Sequence, residues 1–236
     1  MKKKLATLIL LLSLSGFNVT DAINIESTNK TNTQQILITQ LKNLLKELDK
    51  DIKSKKLIGY SKNAEKYFGD KERERIRLIA KNLSKLTKLD ELIIERALYL
   101  VIEKESGFNP KAVNYQKGDS KNPKLRYTKR ATGLIQWLPS TAKSYNTTTE
   151  EIYNMSVLEQ LEYVEKYFIN CANRYDLKNI PDFYFAVFNP SSIGKPYDHV
   201  IGKSGSLVQK LNQGIDKKGN NDGILQVSDV HQWLLT

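Results

Sequence analysis

Three observations predict a mainly α-helical protein. Apolar residues recur at i, i+3, i+4 and i+7 over several long stretches, the period of a helix with one buried face. Helix-start residues precede those stretches (Asp70, Asp90, Ser156), and a helix-stop residue, Gly107, closes one of them. Hydrophobic residues make up 40% of the chain and the single cysteine, Cys171, excludes an intrachain disulfide, so stability must come from core packing. The 236 residues suffice for one substantial domain plus a small appendage.

Residues 1–22 read as a secretory signal. Lys2, Lys3 and Lys4 form a basic start, Leu5 to Leu14 is an apolar run too short to span a bilayer, and Ala22 precedes a plausible cut. The formal net charge is +11; removing three Lys and one Asp with the leader leaves +9. A secreted basic protein meets anionic polymers, and on charge alone cell wall, membrane surface and nucleic acid all remain open.

A helical N-terminal region is expected over 23–87. Its first eleven residues are polar, then Ile36, Leu37, Leu41, Leu44, Leu45, Leu48 and Ile52 form a helical stripe over 34–53. After the Gly59-Tyr60-Ser61 turn signal, Asp70 is the expected N-cap of a helix over 71–86, with Ile76, Leu78, Ile79 and Leu83 as its apolar contacts.

The next helix carries the chemistry. Asp90 is its N-cap candidate, and Leu92, Ile93, Ile94, Ala97, Leu98, Leu100, Val101 and Ile102 leave it apolar on nearly all sides, hence central. Glu105 shares a face with Leu98, Val101 and Ile102, whereas Glu103 points about half a turn away. Ser106-Gly107 ends the helix. Burial and the negative helix end both favour the neutral acid, so Glu105 should hold its proton near neutral pH. Such an acid can protonate a glycosidic oxygen. By pattern alone, however, a Glu before a helix-ending Gly is usually solvated.

A second motif shifts that balance. Ala131-Thr-Gly-Leu-Ile-Gln-Trp-Leu-Pro-Ser-Thr-Ala142 follows Glu105-Ser-Gly-Phe-Asn-Pro-Lys-Ala-Val-Asn114. Gly133 would let backbone approach a ligand, Gln136 offers a donor and an acceptor, and Pro139 fits the first turn of a short helix over 138–145. Together these stretches resemble the soluble lytic transglycosylases, goose-type-lysozyme-like enzymes that cut bacterial peptidoglycan, over about residues 88–190. The resemblance implies a lysozyme-like helical catalytic domain, placed at 88–210, with Glu105 as sole acid/base. It also implies substrate contacts at Ser106, Asn114, Gly133, Gln136, Tyr184, Phe188 and Asn189, and 1,6-anhydro-muramic acid as product.

The chain departs from the family pattern in places. Asn114 stands where the family often has Ser. Tyr115 to Arg130 is a basic insert, read equally as a solvated loop or a groove edge contacting anionic glycan. Ser156-x-x-Glu159 is a capping box opening a helix to about Arg174, with Cys171 on its apolar face beside Leu161, Val164 and Phe168. Phe188 replaces a commonly found Tyr, with Tyr184 and Tyr163 as the candidates to supply its hydroxyl. Phe188-Asn189-Pro190, Gly194-Lys195-Pro196 and the tail 211–236 resemble a phage-associated branch. The tail contains a degenerate EF-hand-like loop with Asp216, Asn220, Asp222 and Asp229, but Lys218 occupies its first ligand position. A structural turn before a last helix, 227–235, is the default; calcium is the minority alternative.

The expectation is therefore a periplasmic or secreted peptidoglycan lytic transglycosylase acting on glycan strands, without nucleic acid or stable membrane insertion after leader removal. A hydrolytic muramidase is the enzymatic alternative. A non-catalytic wall-binding component of a secretion-system or phage-like assembly is the non-enzymatic one. With two histidines, no metal-peptidase motif, no phosphate loop and no nucleophile elbow, other hydrolase classes find no support.

Overall fold

The computed structural model describes residues 62–115, 119 and 129–234. The chain divides into two units, Met1–Gly59 and Tyr60–Thr236, and all described residues belong to the second. The leader at 1–22, the stripe at 34–53 and most of the basic insert lie outside the described residues. Among those described, helices dominate: α1 (Lys62–Tyr67), α2 (Asp70–Thr87), α3 (Glu91–Ser106), α4 (Pro139–Ser144), α5 (Thr149–Asn154), α6 (Val157–Arg174), α7 (Ile180–Phe188), α8 (Leu207–Leu211), α9 (Gln213–Asp216) and α10 (Val227–Leu234). None of them is long and apolar enough to cross a membrane. Strands β1 (Val200–Gly202) and β2 (Leu225–Gln226) pair antiparallel, Val200 opposite Gln226 and Gly202 opposite Leu225.

α3 is the central helix, as its sequence requires. The Asp90 carboxylate accepts from the Leu92 amide at 2.8 Å, and Gly107 closes the helix at φ 57°, its N–H donating to the Glu103 carbonyl at 2.9 Å. Ile94, Leu98 and Ile102 are wholly buried. Each contributes about 1.5–3 kcal/mol through removal of apolar surface from water. α2 packs against one side of α3 and also against α6; α7 packs on α3 as well. The aromatic rings of Phe68, Tyr99 and Phe108 meet at centroid distances of 5.2–6.2 Å and fix the α1 turn against α3.

Several expectations shift. α2 starts at Asp70, so its N-cap is Gly69, whose N–H donates to Glu72 at 2.8 Å; Asp70 is the first helical residue. α2 was grouped by sequence with the N-terminal region, yet its buried Ile76, Ile79 and Leu83 place it in the same compact unit as α3. α5 was not anticipated, although Thr148 and Glu151 form a reciprocal capping box at its start. α7 and the small sheet were also not anticipated. The Ser156 box and the helix to Arg174 are as expected, and Cys171 is buried on that helix. Burial pushes its thiol up to about 11, so it remains protonated.

The tail folds back as part of the domain. The His199 and Tyr197 carbonyls accept from Val227 and Ser228 at 3.1 and 2.9 Å. The wholly buried Asp229 accepts from the amides of Asn220 at 3.1 Å and Gln226 at 2.7 Å. A Cβ on Gly219 would meet the Asp229 Oδ1 at 2.1 Å, so glycine is required where this carboxylate packs. Asn220 Oδ1 and Asp222 Oδ1 accept backbone N–H groups two residues ahead, and Asp216 Oδ2 accepts from Gln209 at 3.4 Å. These are the contacts of a hydrogen-bonded turn. Among the described residues no group of three or more His, Cys, Asp or Glu is gathered to hold a metal ion.

Candidate active site

An open cleft of about 890 Å³ runs across the end of α3. Glu105 lies in it because the residues one turn before it on the same face, Val101 and Ile102, are buried, which sets the rotation of the helix. Gly107 then ends the helix in a left-handed conformation at φ 57°. Burial pushes the Glu105 pKa up to about 7, and a hydrogen bond from Tyr184 pulls in the opposite direction. Roughly half of the molecules hold the proton at neutral pH, a state from which a carboxyl group can either give or take one.

Tyr184 comes from α7. Asn179 caps that helix, its side chain accepting from the Asp182 amide at 3.0 Å, and Pro181 suits its first turn. Tyr184 and Phe188 are four residues apart on one face and stack at 5.5 Å between centroids. The phenol bonded to the catalytic-type carboxylate is thus supplied one turn before Phe188. Its own pKa is raised by burial and then by the neighbouring Glu105, so it stays a donor. Tyr163, the other candidate, packs edge-on to Trp137 at 6.3 Å and does not line the cleft.

The second motif forms the opposite lip. Thr132 bridges to Val113 on one side and Trp137 on the other, which folds residues 132–137 into a tight turn. Gln136 is held at φ 53°, a left-handed conformation uncommon for a side chain of this size. Its amide nitrogen donates to the Gly133 carbonyl at 3.0 Å and more weakly to Ala112 at 3.4 Å. Those bonds hold the strained residue at the cleft edge, with Asn114 exposed beside it. Ser106 also lines the cleft, its hydroxyl donating back to the Ile102 carbonyl at 2.9 Å.

Two proposed contacts change character. Gly133 does not face the cleft. It is buried at φ 83°, and a Cβ there would lie 2.6 Å from Gln160 Oε1 and 2.7 Å from Ile152 Cγ2. Its lack of a side chain admits Gln160, not a ligand. Asn189 is also absent from the cleft wall: its amide is used by Ser192 at 3.1 Å and Ser191 at 2.7 Å in the turn after α7. Of the basic insert, Arg130 is committed to Asp119 through two bonds of 2.6 and 2.8 Å.

Three residues that sequence reasoning missed matter here. Gln160, wholly buried, accepts from the Leu134 amide at 2.9 Å and donates to the Pro110 and Ile152 carbonyls at 2.8 Å each. It ties both motifs to α6. Its signal was a polar residue in phase with Val157, Val164 and Phe168 on an apolar face. Trp233 and Lys218 bring the C-terminal segment into the cleft wall. Nothing local in their sequence marks that role.

A helical domain with one proton-retaining carboxylate at the end of a central buried helix is lysozyme-like. Residues 84–164, about a third of the chain, match the family model described as Transglycosylase SLT domain. The family generally comprises lytic transglycosylases acting on peptidoglycan. Neither the curated proteins nor the solved structures give a match.

Proposed function

We propose that the protein is a lytic transglycosylase cleaving the β-1,4 bond between N-acetylmuramic acid and N-acetylglucosamine. Glu105 gives its proton to the glycosidic oxygen as the bond to the muramic acid C1 breaks. The resulting carboxylate takes the proton from the muramic acid 6-hydroxyl, whose oxygen bonds to C1. A 1,6-anhydro ring forms, no water is consumed, and Glu105 ends protonated as it began. Tyr184 orients the carboxylate throughout.

The observation that carries this reading is that Glu105 is the only carboxylate lining the cleft among the described residues. Schemes with two carboxylates need a second one flanking the bond. One acid/base suffices when the nucleophile is the substrate's own hydroxyl.

Purified sacculi digested by wild type and Glu105→Gln, with muropeptides identified by mass spectrometry, test the proposal. Anhydro-muramic ends are expected from wild type, with a loss of about 10²–10⁴-fold in the variant. Reducing ends would instead make the protein a hydrolytic muramidase. Undiminished biological function of Glu105→Gln would favour the wall-binding, assembly-associated alternative. The substrate places the site of action outside the cytoplasm, in accord with the leader expected over 1–22. The Phe188-Asn189-Pro190 and Gly194-Lys195-Pro196 motifs support a phage-associated branch of the family.

A further inference from the structure

The cleft wall carries two lysines. Lys104 and Lys218 both line it, next to Trp233. The Lys104 ammonium lies 4.4 Å from the centre of the Trp233 ring and donates to the Trp233 carbonyl at 3.1 Å. That bond occupies one of three donors and fixes the side chain in place. Burial holds the Lys104 pKa below its ordinary value; the charge of Glu103 acts the other way, and that of Lys218 adds a smaller lowering. Neither lysine forms an ion pair among the described residues. An anion entering the cleft would be attracted by both ammonium groups. Glu105, the one carboxylate lining the cleft among the described residues, is bonded to Tyr184 instead.

We propose that Lys104 and Lys218, with Trp233 holding Lys104 in position, form a subsite for a carboxylate of the bound glycan strand. This deepens the reading above and rests on it: the substrate is an anionic strand, recognised by its carboxylate as well as its sugar rings. The same chemistry is available from the lactyl group of peptide-free strands and from the acidic residues of attached peptides. Lys104 and Lys218 are specificity residues and Trp233 is a positioning residue; none takes part in bond making.

Binding in the Glu105→Gln background separates this from turnover. Soluble glycan strands, with and without peptides, are titrated calorimetrically, each native and with its carboxylates converted to primary amides. Native strands should bind about 10-fold more tightly than amidated ones, as for a contact to a charged group. Adding Lys104→Gln and Lys218→Gln should reduce that preference to below about 2-fold. Lys104→Arg with Lys218→Arg should retain it, as should Lys81→Gln with Lys85→Gln on exposed α2 positions. Whichever strand type shows the preference identifies the carboxylate's source. Equal affinity for native and amidated strands overturns the proposal. So does a preference that survives in the Lys→Gln pair, or that is lost equally in the α2 pair. Near-ultraviolet circular dichroism verifies that the variants are folded. Failure of wild type to make anhydro ends would sink the proposed reaction while leaving this binding preference readable.

Discussion

The two sides of the cleft are built differently. On the side covered by residues 84–164, local rules place every group: Asp90 starts α3, helical phase buries the face of Glu105, and Gly107 stops the helix. On the other side, Tyr184, Phe188, Lys218 and Trp233 come from beyond that match and reach the cleft through the packing of α7 and of the C-terminal segment. The first side supplies the carboxylate; the second supplies Tyr184, whose hydrogen bond opposes the effect of burial on its proton. A carboxylate can therefore be placed by a short motif, while the far wall of its cleft comes from residues distant in sequence, Lys104 and Trp233 lying 129 positions apart.

Substitutions on each side should reveal the division. On the first side, Gln160→Ala removes three hydrogen bonds, two of them buried, and leaves a void, and should cost about 4 kcal/mol in urea unfolding. A cost under about 1 kcal/mol would show that the motif turn stands without its tie to α6. Glu105→Gln should stabilise the fold. The Glu105 pKa is raised from 4.5 to about 7, so wild type loses stability as pH rises through that interval and the full penalty is present above it. The gain should approach 3 kcal/mol at pH 8 and nearly vanish at pH 4, read from thermal melts at both values. A pH-independent gain would place the carboxylate in water.

On the second side the effects are smaller. Tyr184→Phe removes the bond that favours the carboxylate, so the alkaline limb of kcat/KM should move to higher pH, with a loss of about 10-fold at the optimum. An unmoved limb would separate Tyr184 from the acid. Phe188→Tyr should change kcat/KM by less than about 3-fold, because Tyr184 already supplies the hydroxyl. A large gain would show that the position itself matters.

How much was legible follows the same line. α3, α6 and the short α4 were readable because caps, proline and period agree locally. Glu105 was readable only with the Gly133 to Gln136 motif downstream, since phase cannot distinguish a buried from a solvated helix end. Tyr184 could be named but not placed, because its position depends on α7 packing against α3. The cap at Asn179 and Pro181 was a usable signal for that helix. Gly133 was assigned to ligand approach because a glycine's missing side chain does not say which neighbour fills the space; here it is Gln160. No local pattern identifies Trp233 as a cleft residue, because its partner is at the end of α3.

The junction between Lys104 and Trp233 also has a bearing on timing. Closing a loop of that length is entropically slow compared with forming a helix. A chain that has emerged or refolded only as far as α6 already has its acid but lacks Tyr184 and the tail wall. The cleft therefore stays incomplete until residue 233 has docked.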